Sequence, residues 1–292
     1  MRILRIIGLA LGTLVAAILV IAIALFVNGW NTLNSRQAHA VPELRVAPHD
    51  SLISRGRHLA SIQCVSCHGS RASLPLSGGD ENVLAGTPLG VLHAPNLTAG
   101  GVLSHYSDGE LARAIREGVN QKGKAMIVMP SADSRSLSDS DLAALISYLR
   151  SQPSVSKTVP EKRFSPVAYL VLGLRLAETS VQHPVTEPIT HPHEGPDREY
   201  GDYLVRYLGC RSCHGIALDG KGRMPFTPEG PDLIPLVAAH DLGRFTSAMR
   251  EGRAMGDGHE MTPSMMPWPV YASLTDAEVA AIHAHIRSVG AR

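Results

Sequence analysis

The first hydrophobic feature of the chain is a block rather than a stripe. From Ile6 to Val27 run 22 uncharged, mostly apolar residues, preceded by Arg2 and Arg5 and followed by no basic residue until Arg36. A run of about 20 such residues crosses the hydrocarbon core of a bilayer as a helix. The basic flank keeps the N-terminus in the cytoplasm, with Asn28 and Trp30 at the far interface. A cleaved signal peptide is the competing reading, since Ala38-His39-Ala40 has the small-x-small form of a cleavage site. The apolar run is longer than a signal core and ends about a dozen residues before that site, so a retained anchor is favoured.

Beyond the block the pattern turns amphipathic. Residues 31–50 show little periodicity and read as a tether. Ser51 to Cys64 reads as a helix with Leu52, Leu59 and Ile62 inward. A loop rich in Gly, Ser and Pro follows His68, through Gly79. Tyr106 to Glu117 reads as a helix carrying Leu111, Ile115 and the stem of Arg116 inward, ended by Gly118. The stretch from Gly123 to Pro130 reads as mostly non-helical. Ser138, with Asp141 three positions on, caps a helix that offers Leu142, Leu145, Ile146 and Leu149 on one face. In the proline-rich segment that follows, Val167 to Ala177 is apolar but too short to span a membrane. It is expected to pack between domains or to touch the membrane surface or a partner. His183, His191 and His193 nearby, with Glu187 and Glu194, read as flexible surface residues rather than a metal site.

The pattern then repeats. Gly201-Asp202-Tyr203-Leu204 stands where Gly56-Arg57-His58-Leu59 stood, and Pro231-Asp232-Leu233-Ile234 parallels Pro95-Asn96-Leu97-Thr98. Phe245 to Glu251 parallels Leu111 to Glu117, each ending in Arg-Glu-Gly. Ser273-Leu274-Thr275-Asp276 parallels Ser136-Leu137-Ser138-Asp139 before a helix with Val279, Ile282 and Ile286 inward, and Thr275 with Glu278 forms a capping box. A period near 140 residues means two copies of one domain, not a solenoid. The chain therefore divides into an anchor (1–30), a tether (31–50), a first domain (51–152), a linker with a short apolar segment (153–197) and a second domain (198–292). The fold class is mainly α.

Composition adds two limits. Net charge is +1, which gives no electrostatic reason to expect nucleic acid or a strongly acidic substrate. Aromatic residues make up 4 % of the chain, so a large flat cofactor has room to supply part of the buried surface. The four cysteines then change the picture. They form Cys64-Val65-Ser66-Cys67-His68 and Cys210-Arg211-Ser212-Cys213-His214, at matching places in the two repeats. C-x-x-C-H is an attachment site for c-type haem: two thiols add to the porphyrin vinyl groups and the histidine ligates iron. Two covalently attached c-type haems are expected, with none of the cysteines left for a disulfide or zinc. For the second axial ligand the repeats offer Met126 and Met129, and Met255, Met261, Met265 and Met266. Met129-Pro130 lies eight residues before Leu137, and Met266-Pro267 eight before Leu274, so the shared register selects Met129 and Met266.

Each half resembles a class I cytochrome c domain. The repeated unit, over about residues 50–152 and 198–289, resembles the cytochrome c subunits of bacterial membrane-bound alcohol, aldehyde and gluconate dehydrogenases. The residues that carry this are Arg55 to Leu59, Ala94 to Thr98, Arg116 to Val119, Met129-Pro130 and Leu137 to Leu145. Those relatives commonly hold three haem domains, whereas here there are two and an N-terminal anchor. The copies also differ: Tyr148 in the last helix of the first becomes His285 in the second, and the spacing from histidine to methionine falls from 61 to 52 positions. Unequal haem potentials are expected. His285 is expected to pack as a neutral histidine or to hydrogen-bond near a haem edge.

The function expected is electron transfer rather than catalysis, because His and Met on both irons leave no open position for substrate. The resemblance implies redox protein partners: a membrane quinol-oxidising or dehydrogenase complex, a terminal oxidase, or both. The location is the bacterial cytoplasmic membrane, crossed once, with the haem domains in the periplasm. A haem enzyme acting on peroxide or a sulfur compound, and a mainly structural docking subunit, are the alternatives.

Overall fold

The computed structural model describes residues 2–221 and 229–290. Helix α1 (Arg2–Asn34) leads, continuous from the apolar block to four residues past the expected end of the anchor. Apart from an isolated bridge at Arg36, residues 35–49 then run without regular structure, but they are laid along the first domain rather than free of it. Gln37 donates its backbone N–H to Gly123, Val46 donates to the Asp108 carboxylate at 2.9 Å, and His39 Nδ1 lies 2.6 Å from Glu117.

In the first domain α2 (Asp50–Leu59) passes through one wider, π-type turn (Ala60–Cys64) into α3 (Val65–His68), so the helix and the haem motif form one continuous element. The apolar spacing predicts the helix but not the π turn, a local bulge that alters which side chains the next turn presents. Strand β1 (Gly90–Val91) follows, then α4 (Asp108–Glu117), α5 (Ser131–Ser134) and α6 (Asp139–Ser151). Ser107 and Glu110 cap α4 reciprocally, and Gly118 ends it at φ +67°, a conformation glycine adopts without a Cβ penalty. The linker contributes strand β2 (Arg163–Phe164), antiparallel to β1, and α7 (Pro166–Gly173). The second domain holds α8 (Arg198–Tyr207), α9 (Cys210–His214), α10 (Leu233–Ala238), α11 (Leu242–Glu251), α12 (Trp268–Tyr271) and α13 (Asp276–Gly290).

Each domain is built on the crossing of its first and last helices, α2 on α6 and α8 on α13. The contact is backbone to backbone. A Cβ on Gly56 would lie 1.9 Å from the Ala144 carbonyl oxygen, and one on Gly201 would lie 2.0 Å from that of Ala281. Tyr148 and His285 cover these glycines from equivalent positions, so the Tyr/His difference falls at the crossing. His285 Nε2 is 3.5 Å from Asp202, beyond good hydrogen-bond geometry, and burial lowers its pKa. It packs as a neutral histidine. A second repeated device ties the loops down. Arg116 donates to the Leu137 carbonyl and pairs with Asp139 at 2.8 Å, while Arg250 donates to that of Leu274 and pairs with Asp276 at 2.8 Å. The Arg-Glu-Gly motif of the repeat is therefore a clamp between α4 or α11 and the start of the last helix.

The linker histidines correct one expectation. His191 is half-buried against the Tyr200 and Tyr203 rings and 3.2 Å from Asp141, rather than free at the surface. Among the described residues no group of three or more His, Cys, Asp or Glu is arranged to hold a metal ion.

The helix crossing makes a prediction. Gly56→Ala or Gly201→Ala forces two backbones apart and costs about 1–3 kcal/mol, read as a lower thermal midpoint of the haem-loaded protein. Gly8→Ala, with nothing within 4 Å of its added Cβ, leaves that midpoint unchanged.

Candidate haem sites

Both motif histidines are buried, and each ring is held the same way. His68 Nδ1 donates to the Pro95 carbonyl at 2.9 Å, and His214 Nδ1 to the Pro231 carbonyl at 2.9 Å. Burial keeps both imidazoles neutral at physiological pH by lowering their pKa. A neutral ring that donates from Nδ1 presents Nε2 as its lone-pair face, the tautomer a metal ligand requires. The sequence marks Pro95 and Pro231 as parallel positions. That parallel is the signal for their role, which the residue types alone do not state. Gly230 is fitted to the ring, since a Cβ there would lie 2.6 Å from His214 Nδ1.

The four thiols are free of disulfides. Burial pushes Cys64 and Cys210 up to about 12, so these thiols stay protonated and are not preformed thiolate metal ligands.

A cavity of about 1790 Å³ opens beside the second motif. It is larger than the roughly 300–1000 Å³ of ordinary ligand clefts. Cys210, Cys213, His214 and Met266 all line it, with Leu233, Phe245 and Ile282 among its apolar walls. This donor set, in an apolar chamber with an oriented imidazole, fits a covalently held haem. From the first domain Met129 and Ser66 line the same cavity, whereas Cys64, Cys67 and His68 do not. In the first domain the fit therefore rests on the oriented His68 and the adjoining cysteine pair.

The methionine loops also repeat. Pro130 (φ −79°, ψ 57°) and Pro267 (φ −78°, ψ 48°) each centre an inverse γ-turn in which the Met carbonyl accepts from the residue after proline, at 2.8 and 2.7 Å. Val128, just before Met129, sits at φ +68°, a strained setting for a β-branched residue. A second methionine pair is equivalent as well: Met126 donates its N–H to Gly118, and Met261 its N–H to Gly252. Only in the Met129/Met266 pair do both members line the cavity. The two extra residues between Met261 and Met266 hid this second pair in the sequence.

Comparison with known proteins follows the same division. Residues 51–149 match the family model of cytochrome c oxidase, cbb3-type, subunit III, and residues 199–290 match that of cytochrome c. The chain carries two cytochrome c domains in tandem. It is 30 % identical over 174 residues to a nicotinate dehydrogenase component of Pseudomonas putida, covering 56 % of this chain and 14 % of that protein. It is 25 % identical over 276 residues to the fructose dehydrogenase cytochrome subunit of Gluconobacter japonicus, covering 84 % of this chain and 54 % of that protein. The chain thus spans about one-seventh and about half of these relatives. Two cytochrome c domains with intact C-x-x-C-H motifs imply two covalent c-type haems and an electron-transfer role.

The cytochrome c domains touch through their haem elements. Helix α5, which begins right after Met129-Pro130, packs on α8, and α12, which begins right after Met266-Pro267, packs on the π turn that ends at Cys64. Asp133 on α5 hydrogen-bonds Ser212 inside the second motif, and a Cβ on Gly209 would lie 2.7 Å from its carboxylate. Burial pushes Asp133 up to about 7. The sequence gives no sign of this residue's role.

This geometry carries two expected outcomes. If Met266 ligates the second haem, Met266→His would lower the potential of one haem and remove its long-wavelength sulfur–iron charge-transfer band, leaving the other haem's band. Asp133 binds protons more tightly folded than unfolded, so between about pH 4 and pH 7 the folded state holds more of its proton. Its contribution to stability is present at the acid end of that window and is lost as pH rises through about 7. Asp133→Asn removes a component on the order of 1 kcal/mol from the pH dependence of the thermal midpoint, allowing for a side chain only part-buried.

Proposed function

We propose that this chain is the dihaem electron-carrying subunit of a membrane-bound dehydrogenase complex, anchored by α1 with its cytochrome c domains on the outer face of the cytoplasmic membrane. The similarity to the fructose dehydrogenase cytochrome subunit, over 84 % of the chain, is the observation that carries the complex. Residues 51–152 and 198–292 serve as the two carrier domains, with 31–50 and 153–197 as the segments that mount them.

A bound haem supplies a reversible one-electron iron couple. The protein's own residues set the conditions for it. Cys64 with Cys67, and Cys210 with Cys213, are the attachment thiols. His68 and His214 ligate through Nε2, oriented by the Pro95 and Pro231 carbonyls. Met129 and Met266 would supply the second iron ligand of each haem, their loops stiffened by the prolines that follow. A neutral thioether ligand would favour the reduced iron and would leave no position for substrate, which supports reading the chain as a carrier. The donor is the partner's catalytic subunit. Its further redox partner is a membrane quinol-oxidising complex, a terminal oxidase, or both.

Purification of the full chain from its native membrane in mild detergent tests this reading. A dehydrogenase catalytic subunit recovered in fixed ratio with the cytochrome is the expected result. Isolation of the chain alone, with rapid carbon monoxide binding by the reduced protein, overturns it in favour of a haem enzyme.

A further inference from the structure

The apolar run in the linker lies against α1 as well as the cavity. Helix α7 packs on the outer end of α1. A Cβ on Gly29 would lie 1.9 Å from the Tyr169 carbonyl oxygen, and one on Gly173 would lie 2.0 Å from that of Leu25, so the two helices approach through paired glycines. Phe26 meets the Tyr169 ring edge-on at 5.1 Å, and Asn28 donates to the Gly173 carbonyl at 3.3 Å. Leu172 joins Leu33 and Ala125 in a small core of its own. On the other side β2 pairs with β1, and Ser165 donates to the Leu89 and Pro88 carbonyls. Helix α7 is therefore fixed to both the anchor and the first domain.

Its depth follows from length. With a rise of about 1.5 Å per residue, the 33-residue α1 is roughly 50 Å long, against a hydrocarbon core of about 30 Å. About twenty residues counted from Ile6 end near Leu25, so the α7 contact at Leu25, Phe26 and Gly29 falls at the outer boundary of the core. At that level the turn after α7 exposes Leu174 (51 %) and Leu176 (56 %). Scattered exposed apolar residues are ordinary, but these continue the mostly apolar surface of α1 between Ile6 and Val27.

Charge lies beside them. Arg36, Lys122, Lys162, Arg163 and Arg175 are exposed, and Lys124 is part-exposed. Arg36 is bridged to Lys124, and a Cβ on Gly123 would lie 3.6 Å from the Arg36 side chain. Desolvation, and after it the neighbouring Lys124 and Lys122, lower the pKa of Lys162. Glu161 and Glu178 are the acids of the same segment. No ion pair joins a carboxylate to any of these six basic residues among the described residues.

We propose that α7 is a second membrane mount: Leu174 and Leu176 enter the outer leaflet beside α1, and the basic group over them binds anionic phospholipid headgroups. The surface is continuous with the anchor and opposite in charge to the headgroup phosphates, which is why a bilayer, rather than a protein, is its occupant. A single helix leaves a domain free to swivel. Two points fix which face of the first domain meets the membrane. Val167, Val171 and Leu172 also line the shared cavity, so the mount sets how that cavity stands relative to the bilayer. The inference rests on the reading of α1 as a retained spanning helix.

Nitroxide labels on the full haem-loaded chain test it, at Leu174→Cys, Ile18→Cys and Arg244→Cys, in phosphatidylcholine vesicles with and without one-third phosphatidylglycerol. Accessibility to oxygen against a polar nickel complex is the readout. The expected result is a membrane-like ratio at Ile18, a shallower but membrane-like ratio at Leu174 that rises several-fold with phosphatidylglycerol, and a water-like ratio at Arg244. Lys122→Glu with Lys162→Glu abolishes the phosphatidylglycerol effect at Leu174 and leaves Ile18 unchanged. A water-like Leu174 beside an immersed Ile18 overturns the second mount and leaves the anchor standing. A water-like Ile18 overturns both. An immersed Leu174 indifferent to phosphatidylglycerol and to the two substitutions overturns the headgroup interaction.

Discussion

In each domain a glycine on the first helix lies on a carbonyl of the last, and the other sites are referenced to that contact. It permits close approach only because neither Gly56 nor Gly201 carries a Cβ. The motif helix is thereby fixed against the C-terminal helix, and the histidine at its end is fixed in turn. The loop that returns past Pro95 or Pro231 then meets a ring whose position is already set, and its carbonyl selects the tautomer. The arginine clamps on Leu137 and Leu274 hold the start of the last helix at the other end of the methionine loop.

The same crossings also supply the surface by which the two domains join. Arg55 and Tyr200 each precede the crossing glycine, His58 and Tyr203 each lie two residues beyond it, and Asp141 and Glu278 each lie three residues before the facing alanine. These equivalent residues meet one another. His58 pairs with Glu278 at 2.8 Å as Tyr203 pairs with Asp141 at 2.6 Å, and Arg55 lies between, bidentate to Asp141 and 3.3 Å from Tyr200. Burial opposes ionisation of Asp141, yet Arg55 holds its pKa below the ordinary carboxylate range. Removing Arg55 would leave the Asp141 carboxylate buried without its cation, a destabilising loss. The interface is therefore an approximate two-fold arrangement made by duplicated residues. It brings the turn after each methionine onto the haem-attaching segment of the other domain.

The helices with a clear apolar stripe, most of their inward residues, the two motifs and the repeat were legible because each has a period or a fixed spacing, whereas the short α5, α7, α10 and α12 were not read as helices. The glycine, tyrosine or histidine, and arginine positions that the repeat aligned proved to be equivalent in space. What was not legible depends on tertiary contact. The Pro95 and Pro231 carbonyls carry no side-chain signature. Asp133 carries no sequence signal until Ser212 and Gly209 are seen against it. His191 looked like a free surface residue because its partners lie in three separate segments. The π turn at Ala60–Cys64 leaves no mark in an apolar pattern of helical spacing. The linker run Val167 to Ala177 offered three destinations, and its pattern gives no sign of the paired glycines that seat α7 on α1.

The central claim is that each domain holds its own covalently attached haem. Haem quantitation by the alkaline pyridine spectrum, combined with the intact mass of the purified full chain after acid–acetone extraction, measures this directly. The account predicts two haems per polypeptide, both retained on the chain through Cys64 with Cys67 and Cys210 with Cys213. One haem per chain, or haem that extracts into acetone, would contradict it.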